Sequence, residues 1–187
     1  MHLASASLFL YIHVMCGELT LKQMRHVLTS ALMGRIGCFG NKRVYVVPIT
    51  FAFHEGYIYG QSRAGLKINL MRKNPSVCFQ TDEIDAMNNW RSVIVWGEYE
   101  EITKLPQQRL AAEILSDRTG PYVNSETLHR KPAHVKPPHV VEKKTKAIYF
   151  RIKISEMTGR FEKPEFVTLN NGNSSTPSRP GYSVFGL

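Results

Sequence analysis

Tyr57-Ile-Tyr-Gly-Gln-Ser62-Arg-Ala-Gly65-Leu-Lys67-Ile-Asn-Leu-Met-Arg-Lys-Asn74-Pro75-Ser-Val-Cys-Phe79 is the stretch on which the reading of this chain turns. An aromatic strand, Tyr57 to Gln61, enters a small-residue corner at Ser62, Ala64 and Gly65. A helix follows, ended by Asn74-Pro75, and a second strand starts at Ser76. Such a corner aims several backbone N–H groups at one point and so suits an anion. Arg63 and Lys67 flank the start of the helix, where the macrodipole disfavours cations. Two readings follow. Either a phosphate is held by the Ser62 hydroxyl, the helix-end amides and Lys67, or this is a plain surface turn with two solvated cations.

Upstream, Thr20-Leu-Lys-Gln23 is a capping-box pattern with Leu19 and Met24 at staple spacing, so a helix starts near Leu21 and buries Met24, Val27, Leu28 and Ala31. Gly34 to Phe39 reads as a strand, turned by Gly40-Asn41-Lys42 into a longer one from Arg43 to Phe53. In that strand Val44, Val46, Pro48, Thr50 and Ala52 share one face, and Tyr45, Val47, Ile49, Phe51 and Phe53 the other. Pro48 lacks the N–H a ladder needs, which predicts an edge or a bulge and leaves backbone groups for a ligand. Thr50 could add a hydroxyl there, or simply be a good strand former.

Downstream, the strand from Ser76 ends near Asp82, and Glu83 to Asn89 reads as a polar loop carrying Met87. Trp90 to Glu100 is a long strand with Trp90, Ser92, Ile94 and Trp96 on one side, so that one of Arg91 and Ser92 faces a ligand and the other a neighbouring strand or subunit. Pro106 to Asp117 reads as an amphipathic helix. His129, His134 and His139 are spaced five apart, but Pro132, Pro137 and Pro138 interrupt them and no acidic or Cys ligand joins them, which favours a loop over a metal site. Ala147 to Ile154 is the last clear strand, closed by Ser155 to Phe161. The Asn/Ser/Gly/Pro tail from Asn170 to Arg179 cannot bury enough to order itself, with Tyr182 and Phe185 left to dock.

The 187 residues are 43% apolar and 21% charged, which suits one soluble domain with a core of its own. A formal charge of +9, from 24 Lys and Arg against 15 Asp and Glu, points to acidic partners. Basic residues are scattered apart from Lys143-Lys144-Thr145-Lys146, so specific nucleic-acid binding is disfavoured. Cys16, Cys38 and Cys78 form no Cys-x-x-Cys pair and fit a reducing cytoplasm. The apolar run Leu8 to Met15 is too short to span a bilayer and lacks a signal peptide's basic start. It either packs on the body or precedes a natural start at Met15. The expected organisation is an extension over 1–16, a domain over 17–162 and a partly disordered tail over 163–187.

Six strands joined mostly by short turns, with three helices, make a mainly β (α+β) protein: a six-stranded antiparallel barrel with peripheral helices. There is no Gly-x-Gly-x-x-Gly turn, no Walker loop and no Ser-His-Asp or Cys-His arrangement, so any chemistry is a cofactor's and no catalytic or metal residue is assigned.

The ordered motifs Gly34-Arg35-Ile36-Gly37, Tyr45-Val46-Val47-Pro48-Ile49-Thr50-Phe51, Ser62-x-x-Gly65-x-Lys67, Arg72-x-Asn74-Pro75-x-Val77-Cys78-Phe79 and Trp90-Arg91-Ser92-Val93 resemble the pyridoxamine 5′-phosphate oxidase-related FMN-binding split barrels, in particular the branch with nitroimidazole-resistance proteins. The closing segments Arg151 to Ile154 and Thr158 to Phe161 are similar too. This resemblance covers roughly Gly17 to Glu162. It implies a split β-barrel and a homodimer with FMN between subunits. Val47, Pro48, Ile49 and Thr50 would line the isoalloxazine ring, Ser62 and Lys67 would hold the phosphate, and Trp90, Arg91 and Ser92 would close the site. Gln61, where many relatives have His, would complete the cofactor-binding set. The implied function is that of an FMN-dependent oxidoreductase of nitroreductase or pyridoxamine-phosphate-oxidase type, passing electrons to a small-molecule substrate. The alternatives are a non-catalytic flavin or haem carrier and, third, a basic nucleic-acid-binding barrel.

Overall fold

The computed structural model describes residues 10–123 and 147–168. The elements run β1 (Leu10–Glu18), α1 (Leu21–Ser30), β2 (Met33–Gly40), β3 (Arg43–His54), β4 (Tyr57–Ser62), α2 (Leu66–Lys73), β5 (Ser76–Ala86), β6 (Asn89–Glu101), α3 (Leu105–Val123) and β7 (Ile148–Thr168). The His129 to His139 reading, most of the tail and the Lys143 to Lys146 cluster lie outside the described residues.

Local chemistry explains the first half. Thr20 and Gln23 form the reciprocal capping box that starts α1. Leu19 and Met24 are both buried, and Gly159 lies so close to them that a Cβ there would sit 2.7 Å from Met24 and 2.9 Å from Leu19. The β2–β3 hairpin pairs Gly40 with Arg43 across Asn41 and Lys42, at φ 53° and 62°. Positive φ at both central residues makes a turn whose twist matches the flanking strands.

All seven strands join one antiparallel sheet in the order β1-β7-β4-β3-β2-β5-β6, and β6 also pairs with β7. That last pairing closes β2 to β7 into a barrel of the expected six strands. The seventh, β1, is an addition to the expectation: it pairs along β7 from Leu10↔Thr168 to Glu18↔Arg160. β7 can serve three neighbours because it is 21 residues long and bends. Its register with β6 shifts between Trp96 and Gly97, where a Cβ on Gly97 would meet Lys153 O at 2.4 Å. A bulge beside a glycine is how a long strand turns a barrel corner.

The stretch Glu83 to Asn89 also differs from its loop reading. β5 continues to Ala86 and β6 begins at Asn89, with Glu83 opposite Arg91 and Ile84 opposite Trp90. Opposite charges facing across a ladder favour its extension.

Inside the barrel, Ile36, Phe51, Phe79, Val93, Val95, Phe150 and Ile152 are fully buried, with Val27 and Leu28 of α1 and Ile68 and Met71 of α2 packed among them. A second cluster lies outside the barrel wall, where Ala111 and Leu115 of α3 pack on Ala52, Tyr59 and Ile102. No helix among the described residues is long and apolar enough to cross a membrane.

α2 is pinned to β6 by charge. Arg72 donates from Nε (2.7 Å) and Nη2 (2.8 Å) to the Glu101 carboxylate, which also accepts from the Tyr99 hydroxyl at 3.0 Å. The Arg72 hydrogen bonds hold the Glu101 carboxyl below its usual 4.5. A carboxyl depressed in the folded state stabilises it above the unfolded pKa and ceases to as pH falls through the folded value. Glu101→Gln is therefore expected to lower Tm at pH 7, with the gap to wild type closing as pH drops below about 4.5. Thermal melts from pH 7 to pH 3 check this; a gap that stays constant would refute it.

Candidate functional site

β3 has two different edges. Arg43 to Thr50 pair with β2, from Met33↔Thr50 to Gly40↔Arg43, whereas only Phe51 to His54 pair with β4. Beyond Gly60 the fourth strand leaves β3 and continues along β7 to Ser62↔Ile148. The barrel wall splits there. Pro48 lies on the edge so exposed, in a ladder with β2 that shows no register shift, so the proline marks an edge rather than a bulge.

The corner and α2 stand beside this split. Gly65 is the N-cap of α2, no side chain caps the helix and its first turn holds no acidic residue. Asn69 N–H reaches back to Gly65 O, so the amides of Leu66, Lys67 and Ile68 belong to the orphan set of a helix start. The Ser62 hydroxyl donates to Arg63 O at 2.9 Å. Lys67 is half-buried; burial lowers its pKa and a nearby Cys38 thiol partly offsets this, while burial raises that of Cys38. A desolvated ammonium at the positive end of a helix is a group that an anion stabilises.

A cleft of about 520 Å³ opens next to the corner, lined by Thr50, Gln61, Ser62, Arg63, Leu115, Thr119 and Ala147. Among the described residues its lining contains no acidic side chain and no His, Cys or Tyr. Thr50 Oγ1 has the Met33 sulfur, 3.5 Å away, as its acceptor, a weak partner that leaves the hydroxyl easily recruited.

Of the sequence-predicted residues, Thr50, Gln61 and Ser62 thus meet in one cleft. Val47 and Ile49 turn their side chains toward the core, which leaves them only backbone groups to offer a ligand, while Pro48 and Thr50 face outward. Lys67 lies within electrostatic reach of Cys38 and outside the cleft lining. Trp90, Arg91 and Ser92 are elsewhere. Trp90 Nε1 donates to Glu162 (3.2 Å), Ser92 Oγ accepts from Gln80 (3.2 Å), and Arg91 is 3.9 Å from both Glu83 and Asp85. Thr50 and Ser92 lie level on the outer sheet face but on β3 and β6, three strand spacings apart, or about 14 Å at about 4.8 Å per strand.

Sequence reasoning missed Leu115 and Thr119 of α3, and Ala147. The helical pattern was legible, but nothing in it says that α3 walls the cleft. The outer faces of β2, β3 and β6 also expose Phe39 (53%), Val44 (66%), Val46 (58%) and Trp96 (40%).

Residues 21–161 match the family model described as pyridoxamine 5′-phosphate oxidase. An uncharacterized protein of Rhizobium meliloti (strain 1021) is 29% identical over 155 residues, which cover 81% of this chain and 95% of that one. The crystal structure of a FAD-binding protein from Mesorhizobium loti superposes with a TM-score of 0.61 at 29% identity, covering 78% of this chain and 97% of that one. A FAD-binding protein from Mycobacterium smegmatis shares the fold at 19% identity, with a TM-score of 0.54 and coverage of 78% and 98%.

Proposed function

The chain belongs to the pyridoxamine 5′-phosphate oxidase family, and from that premise we propose that it is a flavoprotein that binds FMN at the split in its barrel. The observation that carries this reading is the start of α2: a helix end without side-chain cap or acidic residue, beside a half-buried Lys67 and the unpaired edge of β3. The Ser62 hydroxyl, the corner amides and Lys67 would hold a phosphate dianion. The backbone of Val47 to Thr50 and the Gln61 amide would meet the polar edge of the ring. A FAD-binding relative of 29% identity supports the class of cofactor, and the described lining of the cleft, uncharged apart from Arg63, suits an anionic one.

The site is completed by a second copy of the chain. Thr50 and Ser92 lie on the outer sheet face, about 14 Å apart along the sheet, and the Phe39, Val44, Val46 and Trp96 side chains exposed on that face are what a homodimer would cover. Three free cysteines fit the reducing cytoplasm.

A bound flavin supplies electron or hydride transfer, and the chain positions it and excludes water. The substrate class is a small electron acceptor such as a nitro compound. A second reading, a flavin carrier without turnover, is favoured by one feature: among the described residues the cleft lining offers no Asp, Glu, His, Cys or Tyr as general acid or base.

A visible absorption spectrum of the purified protein tests the proposal. Flavin bands, present on purification or after FMN addition, are expected; protein that stays colourless with FMN in excess would end it. Reduction by a nicotinamide cofactor followed by reoxidation with a nitro compound separates enzyme from carrier.

A further inference from the structure

Three elements meet at the C-terminal end of α1. Its last turn carries no basic side chain and its cap, Ala31, is extended, so the terminal carbonyls need donors from elsewhere. Arg118 of α3 supplies them: its Nη2 donates to Ser30 O and, at 3.1 Å, to Ala31 O. The guanidinium also meets the negative end of the helix dipole. From the same residue, the Ser30 hydroxyl donates to Glu83 Oε1, and Glu83 Oε2 is 3.9 Å from the Arg91 guanidinium. A polar chain therefore runs from Arg118 through Ser30 and Glu83 to Arg91.

Its two ends reach the two separate groups of site residues. Arg118 sits between Leu115 and Thr119, which wall the cleft. Leu115 is also the last buried apolar residue of α3 among residues 105–120, so the turn after it depends on polar anchorage. Arg118 itself lines a smaller hollow of about 310 Å³ on the other flank of α3, with Ile114 and Asp117. Among the described residues a hollow thus lies on each of two flanks of the helix, and the latch to α1 ties it laterally.

We infer that Arg118 is a positioning residue for the cofactor site. By latching α3 to the end of α1 it sets how closely Leu115 and Thr119 approach Gln61 and Ser62, and through Ser30 and Glu83 the same junction orients Arg91. The second half of this inference rests on the flavin reading above; the latch itself does not.

The test uses the full chain with Arg118→Met, which keeps the apolar stem but removes the donors, and Arg118→Lys. Without FMN, Arg118→Met is expected to speed amide hydrogen exchange over residues 115–119 about tenfold, the scale of one charge-assisted hydrogen bond. With FMN, Kd is expected to rise about tenfold and the bound-flavin fluorescence to change, and Arg118→Lys should restore most of both. Wild-type exchange in Arg118→Met overturns the latch. Faster exchange with unchanged FMN affinity and spectrum overturns its role at the site. If wild-type protein takes up no FMN, the flavin reading and the role at the site fall together, while the exchange measurement still decides the latch. If Arg118→Met does not fold, Arg118→Gln, which keeps an uncharged amide donor on a shorter stem, replaces it; smaller shifts in the same directions support the inference and wild-type values overturn it.

Discussion

Lys67→Ala is expected to weaken FMN binding about 10- to 100-fold and leave the fold intact. The lysine would make a charge-assisted bond to a dianion, an interaction whose loss costs about 1.5–3 kcal/mol. Stability should hold because the variant removes an ammonium that burial already disfavours and puts a strong helix former in the first turn of α2. The lowered pKa adds a sign. With its free-state pKa below 10.5, Lys67 loses its proton earlier than an exposed lysine, so wild-type affinity should fall as pH rises through that value, and the variant should lack this fall. Ser62→Ala should cost less, about three- to tenfold, because its hydroxyl must give up the bond it already makes to Arg63 O before donating to phosphate. Titration of FMN fluorescence, with a thermal melt of each variant, decides both. Unchanged affinity in a folded Lys67→Ala would move the phosphate site elsewhere.

Phe79→Ala is expected to destabilise the protein by about 3–5 kcal/mol, a large share of the about 5–15 kcal/mol that such domains possess. Phe79 is fully buried and stands edge-on to Phe51, ring centroids 4.8 Å apart, in the middle of the barrel. Its ring also fills the space over Gly34: a Cβ there would lie 2.2 Å from Phe79 Cζ. Gly34→Ala alone should therefore be overpacked and costly. Combined with Phe79→Ala, its methyl enters the vacated space, so the double variant should lose less than the sum of the two single losses. Urea denaturation of all four proteins measures this. Strict additivity, or a Phe79→Ala cost under about 1 kcal/mol, would mean that the ring does not occupy that space.

Much of this architecture is written in short-range patterns. The capping box at Thr20 and Gln23 announces α1, alternation separates the inward Phe51 from the outward Thr50, and Pro48 marks an unpaired edge, all because a few neighbouring residues decide them. The corner from Ser62 to Lys67 is legible for the same reason, since the orphan amides of a helix start and the cations beside them lie within one turn.

Other features depended on partners distant in the chain. The run that became β1 is apolar but says nothing about which edge is free; β7 provides one because β4 pairs only with Ile148 to Lys153, which leaves that edge open from Arg160 to Thr168. Glu83 to Asn89 is polar enough to read as a loop, and the ladder extends through it because Arg91 arrives opposite Glu83. The helix at Pro106 was legible, but its place against Gln61 and Ser62, latched by Arg118 to carbonyls of α1, was not, since an arginine's acceptor is chosen by packing. Sequence by itself determined the elements, the barrel class and the basic corner, because propensity and periodicity act over a few residues. Only the tertiary structure decided that Thr50 and Ser92 stand three strands apart, because the spacing between strands is set by the closed sheet and not by any segment within it.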